Sequence, residues 1–457
     1  MTRLVTGFAA ALLLLPAPLA RAERVALAPG ADLQAAIDAS RDGDTLELAA
    51  GEYRGPVRLS RSIGLVGATG AMLRGDGVGN VVTVVAPGAV VRGLSIEGSG
   101  RDWTAMNAGV FVEQSAAGAR VENNRLDDNL YGVYLHGAAN AIARGNTILG
   151  IRHGRVNEMG NGVSVWNAPG AQVIDNDISY GRDGIFSISS SRNLYRGNRF
   201  HDVRFAIHYM YTNDSEISDN VSTGNVVGFA LMFSNRLRVT GNVSDHDRDQ
   251  GLLFNYANDS TIADNAVFGG MQPASRWASA GRRSAATDMH GALSEGRASD
   301  KQSGARIGPE RCVFIYNANH NKFERNWFEG CEVGIHFTAG SEGNQLAQNS
   351  FVGNRTQVKY VGTRNLDWGA TGRGNYWSDN PGFDLNGDGI ADTAYRPNDL
   401  IDRVMWIAPE AKILANSPAV QTIRWAQSQF PALLPGGVID TRPLMKPPTR
   451  SSTRSTP

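Results

Sequence analysis

The chain has 457 residues, 53 of them glycine, and 44 Lys+Arg stand against 44 Asp+Glu. This neutral balance gives no basic face to neutralise phosphates, which argues against a nucleic-acid partner. The glycine content suits a chain with many tight turns.

Residues 1–22 read as a secretory signal: Arg3 supplies the charge, an apolar stretch runs from Leu4 to Leu15, and Ala20-Arg21-Ala22 fits a small-x-small cleavage site. A single arginine points to export in the unfolded state. No later apolar run approaches the roughly 18 residues that span a bilayer, so a soluble exported protein is expected. Residues 23–50 form a cap, with one short amphipathic helix over Asp32–Ala39 carrying Leu33, Ala36 and Ile37 on one side.

From there the chain is repetitive. Asn124, Asn146, Asn176, Asn198, Asn220, Asn242, Asn265, Asn326 and Asn349 sit in one local pattern, mostly 22 or 23 residues apart. A period of this size signals a repeat architecture. Short strand-like segments with no helical pattern between them predict an all-β, right-handed parallel β-helix over 51–373. Insertions interrupt it at about 152–161 and 271–311, the second rich in Ser, Ala, Gly and Arg and read as a disordered loop.

Within a coil, residues three before and two after the repeat Asn are mostly apolar and point inward. The Asn sits at the turn between them, where its side chain can bond along the solenoid axis. A further strand starts about nine residues after the Asn. Period-two alternation aims its outward residues at solvent. These include Trp166, Phe186, Ile188, Met210, Met232, Leu253, Phe314 and Tyr316, an apolar stripe where polar residues are expected. Large exposed apolar patches mark interaction sites, so the stripe is a candidate partner-binding face, unless a segment of the chain folds over it.

Two smaller features follow. Cys312 and Cys331 fall on neighbouring coils and either pair as a disulfide or serve as two small core residues. Residues 374–400 hold an Asp-rich loop. In it Asp384, Asn386, Asp388, the Ile390 carbonyl and Asp392 match the first nine positions of a calcium loop, but Tyr395 replaces the closing Glu. Residues 401–440 suggest a docking or capping helix, broken or kinked at Pro418, with Ile423, Trp425 and Phe430 as anchors. Residues 441–457 read as a disordered tail.

The chemistry follows from what these positions offer. A polysaccharide lyase, epimerase or hydrolase needs placed acids and bases. The predicted outward face offers no carboxylate pair and no Lys or Arg. The dense polar run Asp245-His246-Asp247-Arg248-Asp249 reads as a solvated loop. A carbohydrate-binding or carbohydrate-processing β-helix is the alternative function, with Trp166 and Tyr316 as stacking rings. His208 and Met210 share the outward face, and Met232 stacks beside Met210. Imidazole plus thioether suits Cu(I), so these three are candidate copper ligands.

The coils, the Val313–Phe323 segment, the stretch from Trp327 to Gly340 and the Gly374-Asn375-Tyr376-Trp377 entry to the Asp-rich loop together resemble the NosD family. The resemblance implies a periplasmic, non-enzymatic factor that helps load copper into nitrous oxide reductase. It implies partnership with an ABC transporter's membrane subunit and ATPase, and with a copper chaperone lipoprotein, so that the membrane is reached only through the transporter. It also implies that copper passes through transiently. The assignment of copper to His208, Met210 and Met232 rests on their geometry and not on the resemblance.

Overall fold

The computed structural model describes residues 22–270, 309–398 apart from 339 and 363, 417–429 and 437–449, with a few isolated positions between them. The signal segment up to residue 21, the insertion at 271–308, Phe430 and the residues after 449 lie outside the described set.

Three parallel sheets of 13, 13 and 12 strands run along one solenoid, each coil giving one strand to each sheet. The fold is the expected parallel β-helix. The inward columns stack in register: Val121 pairs with Ala143 in the first sheet, Ile148 with Ile178 in the second, and Val133 with Val163 in the third. These residues fill a continuous buried core. Burying stacked Val, Ile, Leu and Phe supplies the main driving force, at about 25 cal/mol per Å² of apolar surface.

The repeat asparagines form a ladder inside the turn between the first and second sheets. Asn198 donates from Nδ2 to the Asn220 Oδ1 at 2.9 Å and to the Val173 carbonyl at 2.8 Å, and its backbone N–H donates to the same Oδ1 at 3.0 Å. One amide thus satisfies a turn carbonyl behind it and a turn N–H on the preceding coil, which would otherwise be buried unpaired. The ladder runs from Asn124 to Asn375, one coil beyond the nine repeat positions.

The cap helix spans Leu33–Ala39. Asp32 caps it by accepting the Ala35 N–H, and Leu33 and Ile37 are buried. At the other end Trp377 stacks on Phe351 at 4.4 Å and on Tyr395 at 4.8 Å, closing the core with aromatic rings. The strand Gly437–Ile439 returns to pair with Asn365–Asp367. Leu444 then bridges Tyr376 and Ile390. The expected disordered tail is therefore corrected for residues 441–449: they pack because Leu444 buries against that end. The terminal helix spans Pro418–Gln429. It begins at Pro418 rather than kinking there, as the missing N–H allows. On it Val420 is buried, whereas Ile423 and Trp425 are exposed. Cys312 and Cys331 form a disulfide with Cα atoms 5.7 Å apart.

Candidate functional site

The outer face of the third sheet carries the apolar stripe in two adjacent columns. One runs Trp166, Ile188, Met210, Met232, Asn255, Tyr316. The other runs Ser164, Phe186, His208, Ala230, Leu253, Phe314. The columns are contiguous, but they are not uniformly exposed. Trp166 and Tyr316 at the ends are 39% and 41% exposed, whereas Met232 and Leu253 are 9% and 6% exposed. This corrects the expectation of an open apolar stripe. The reason is a second apolar cluster, separate from the main core, in which Met232 and Leu253 pack with Phe205, Val227 and Ala230, against Met210 and Phe314.

A break in alternation builds that cluster. Ala206 and Ile207 are consecutive, yet both lie in the main core, while Phe205 lies in the outer cluster. Two inward residues in a row break the alternation without shifting the register, since Asp183 pairs with Phe205 and Ile185 with Ile207. The break turns the preceding position outward, as at Phe205 and Val227, where strict period-two counting places it inside. On the previous coil the inward position is Gly184, where a Cβ would come within 2.3 Å of the Phe200 ring. The outward residue before it is Asp183, the register partner of Phe205.

Asp183 is therefore on the outer face, and it organises a buried polar cluster. Arg204 grips it with Nε to Oδ1 at 2.8 Å and Nη2 to Oδ2 at 2.7 Å. His208 Nδ1 lies 3.2 Å from Oδ2. The His208 ring sits between Phe186 and Phe205, with centroids at 5.0 and 4.8 Å. Burial pushes the Asp183 carboxyl up, but the Arg204 charge and the bonds from His208 and Arg204 outweigh it and hold it well below the usual carboxylate range. The expectation of a face without Arg is corrected: Arg204 and Asp183 lie on it.

His208, Met210 and Met232 are brought together. His208 and Met210 share one strand, Phe205–Met210, two residues apart on the outer face. Met210 and Met232 are direct register partners on adjacent coils. With Nδ1 turned to Asp183, Nε2 is the imidazole nitrogen with no partner among the described residues. A carboxylate behind an imidazole is the usual way of orienting a metal-binding histidine. Among the described residues no group of three or more His, Cys, Asp or Glu side chains stands close enough to hold a metal ion. The soft donors that this face brings together are one imidazole nitrogen and two thioethers, a set of the kind that suits Cu(I).

The rim of the face was not legible as a site. Tyr211, Phe233 and Tyr256 follow the strand one residue after Met210, Met232 and Asn255, each with φ near +50°. Their rings stack at 5.0 and 5.2 Å, and Tyr316 meets Tyr256 edge-on at 5.9 Å. The signal was an aromatic at one repeat position over three coils. At the N-terminal end His136 stacks on Trp166 at 4.4 Å and on Phe111 at 5.4 Å.

The other expected sites fare differently. Asp247 was expected in a solvated loop. It is instead fully buried at the turn before the third sheet, bonded by Ser222, Ser244 and the Asn225 N–H. In the Asp-rich loop, Asp384 accepts the N–H groups of Gly387, Asp388 and Gly389, and Asp392 accepts that of Leu385. Those carboxylates close the loop on its own backbone, and no group of three or more His, Cys, Asp or Glu side chains gathers among the described residues.

Comparison with known proteins adds the family. Residues 150–382 match the family model described as "Periplasmic copper-binding protein (NosD)". Two relatives are each called "Probable ABC transporter binding protein NosD". The one from Stutzerimonas stutzeri is 38% identical over 88% of this chain and 87% of its own. The one from Pseudomonas aeruginosa is 40% identical over 96% of this chain and 95% of its own. Among solved structures, the Dettilon tailspike protein superposes with a TM-score of 0.50 at 14% identity, over 70% of this chain and 62% of that one. That likeness concerns the fold alone.

Proposed function

We propose, on the premise that this chain belongs to the NosD family of periplasmic copper-binding proteins, that it is a rigid copper-handling platform serving an ABC transporter. Membership rests on the family model and on both relatives. No described helix is long and apolar enough to cross a membrane, so the transporter's membrane subunit, driven by its ATPase, is the proposed link to the bilayer. The proposed cargo is Cu(I), received from a copper chaperone lipoprotein and passed to nitrous oxide reductase.

The observation that carries this reading is the adjacency of Met210 and Met232 beside His208 on one face. The thioethers and Nε2 would hold the ion, and Asp183 and Arg204 would fix the imidazole. The surrounding apolar cluster excludes water, while the part-buried Met210 gives access from one side. Three weak, soft ligands suit a transit site, since cargo must leave as well as enter. The exposed ends of the stripe and the Tyr211–Tyr256 ladder form the surface on which partners would dock, with methionine and aromatic contacts that adapt to more than one shape.

A catalytic role on polysaccharides finds less support here. Asp183 has both oxygens engaged and is held ionised by Arg204, so it offers neither a mobile proton nor a free base.

The test is a pull-down with tagged mature protein from cells that express nitrous oxide reductase, with copper assayed in the eluate. Recovery of the reductase, the chaperone or the transporter together with copper supports the platform. Recovery of none, with retention on a polysaccharide resin instead, overturns it.

A further inference from the structure

Arg182 and Arg204 are backbone neighbours on adjacent coils, with the Arg204 N–H donating to the Arg182 carbonyl at 2.7 Å. One carboxylate serves this corner. Asp183 commits both oxygens to Arg204 and takes His208 as well. The Arg182 side chain has no hydrogen bond or ion pair among the described residues, and its Nε is buried without a partner. A guanidinium cannot shed its proton in a protein, so a positive charge is left unpaired beside a like charge. Such a charge is costly in a low-dielectric setting and calls for a counterion.

The short insertion supplies a second unfilled group. The Arg182 N–H donates to the Gly160 carbonyl at 2.8 Å. Gly160 packs so closely on the coil before it that a Cβ would lie 3.1 Å from the Tyr131 ring. The next residue, Asn161, is buried, and the N–H of Gly162 after it donates to the Asp183 carbonyl at 2.9 Å. Its Nδ2 meets the Ser164 hydroxyl at 3.0 Å, and its Oδ1 has no partner. A serine hydroxyl donates as well as accepts, so the amide can turn over and leave its N–H groups free instead.

We propose that this corner binds a small dissolved carboxylate, held by the Arg182 guanidinium with the Asn161 amide as second donor. Two oxygens in one plane match the donor fork of a guanidinium, which a spherical anion does not. The insertion at 152–161 thereby gains a role: its last residues complete the site at the edge of the proposed copper face. The inference does not depend on copper or on any partner.

The test is thermal unfolding of the mature protein in a low-salt buffer, with sodium acetate against sodium chloride at matched ionic strength. Acetate should raise the Tm of the wild type saturably and by more than chloride, because a ligand of the folded state stabilises by mass action. Arg182→Met should lose the acetate-specific rise and, freed of its unpaired charge, melt at or above the wild type in low salt. Asn161→Asp, which places a carboxylate beside Arg182, should also abolish the rise. Equal effects of acetate and chloride on the wild type would overturn the proposal. So would a full acetate-specific rise in Asn161→Asp, or an Arg182→Met that folds but melts below the wild type in low salt.

Discussion

The backbone N–H of Asn375 donates to the Asp440 carboxylate at 2.7 Å, across 65 residues of sequence. Asn375 is the last rung of the asparagine ladder, and Asp440 stands where a further asparagine would continue it. The same carboxylate accepts the Trp377 indole N–H at 2.9 Å and the Arg442 N–H at 3.1 Å. The solenoid is thus closed by a residue that returns from near the C-terminus, not by the next coil.

Asp440→Ala should leave three buried donors unpaired, at roughly 1–3 kcal/mol for each unsatisfied group and less than additively. Chemical unfolding should show a loss of about 2–4 kcal/mol. Hydrogen exchange should show the loosening first at Tyr376 and Trp377 and least in the central coils.

A rung inside the ladder should be at least as sensitive. Asn220 donates to Asn242 and to the Tyr195 carbonyl, and accepts from Asn198. Asn220→Ala removes all of these and should cost about 2–4 kcal/mol in urea unfolding. Asn220→Asp, isosteric but without the amide donor, should be destabilising too.

The ladder and the inward columns were legible because each coil repeats one local pattern, so register follows from counting. The copper candidates were legible for the same reason: His208, Met210 and Met232 fall on outward positions of consecutive coils. Asp183 and Arg204 were not, because Ala206 and Ile207 sit side by side in the core, and this break in alternation defeats period-two counting. Asp247 was read as solvated because charge density suggests a loop, whereas its turn lies beneath the next coil. The strand Gly437–Ile439 pairs with residues some 70 positions away, and no local pattern announces such a return.

Asp247 makes stability depend on pH. Burial pushes its carboxyl up to about 6, only partly opposed by bonds from Ser244, Ser222 and the Asn225 N–H. A folded-state value above the unfolded one, about 3.9, means that its contribution is fully present below about pH 4 and lost as pH rises through about 6. The shift corresponds to on the order of 3 kcal/mol. Asn225 shows that an asparagine fits this turn one coil earlier. Asp247→Asn should therefore gain stability over the wild type at pH 8 and little at pH 4, as read by urea unfolding at both.

The Cys312–Cys331 disulfide closes a loop with a sequence separation of 19. Loop-closure entropy alone puts its contribution at about 3 kcal/mol. The Cys312→Ala/Cys331→Ala variant should melt several degrees lower while keeping the copper affinity of the wild type, since the bridge lies apart from His208.

Copper binding at His208, Met210 and Met232 is the central claim, and affinity tests it most directly. Cu(I) would be titrated into the mature protein against a chromophoric chelator, for the wild type and for Met210→Leu/Met232→Leu. Leucine keeps the buried packing around Met232, which an acidic substitution would break. The account predicts one Cu(I) per chain in the wild type and at least a tenfold loss of affinity in the double variant, at unchanged Tm. Equal affinity in the two proteins would contradict it and place the copper elsewhere on the chain.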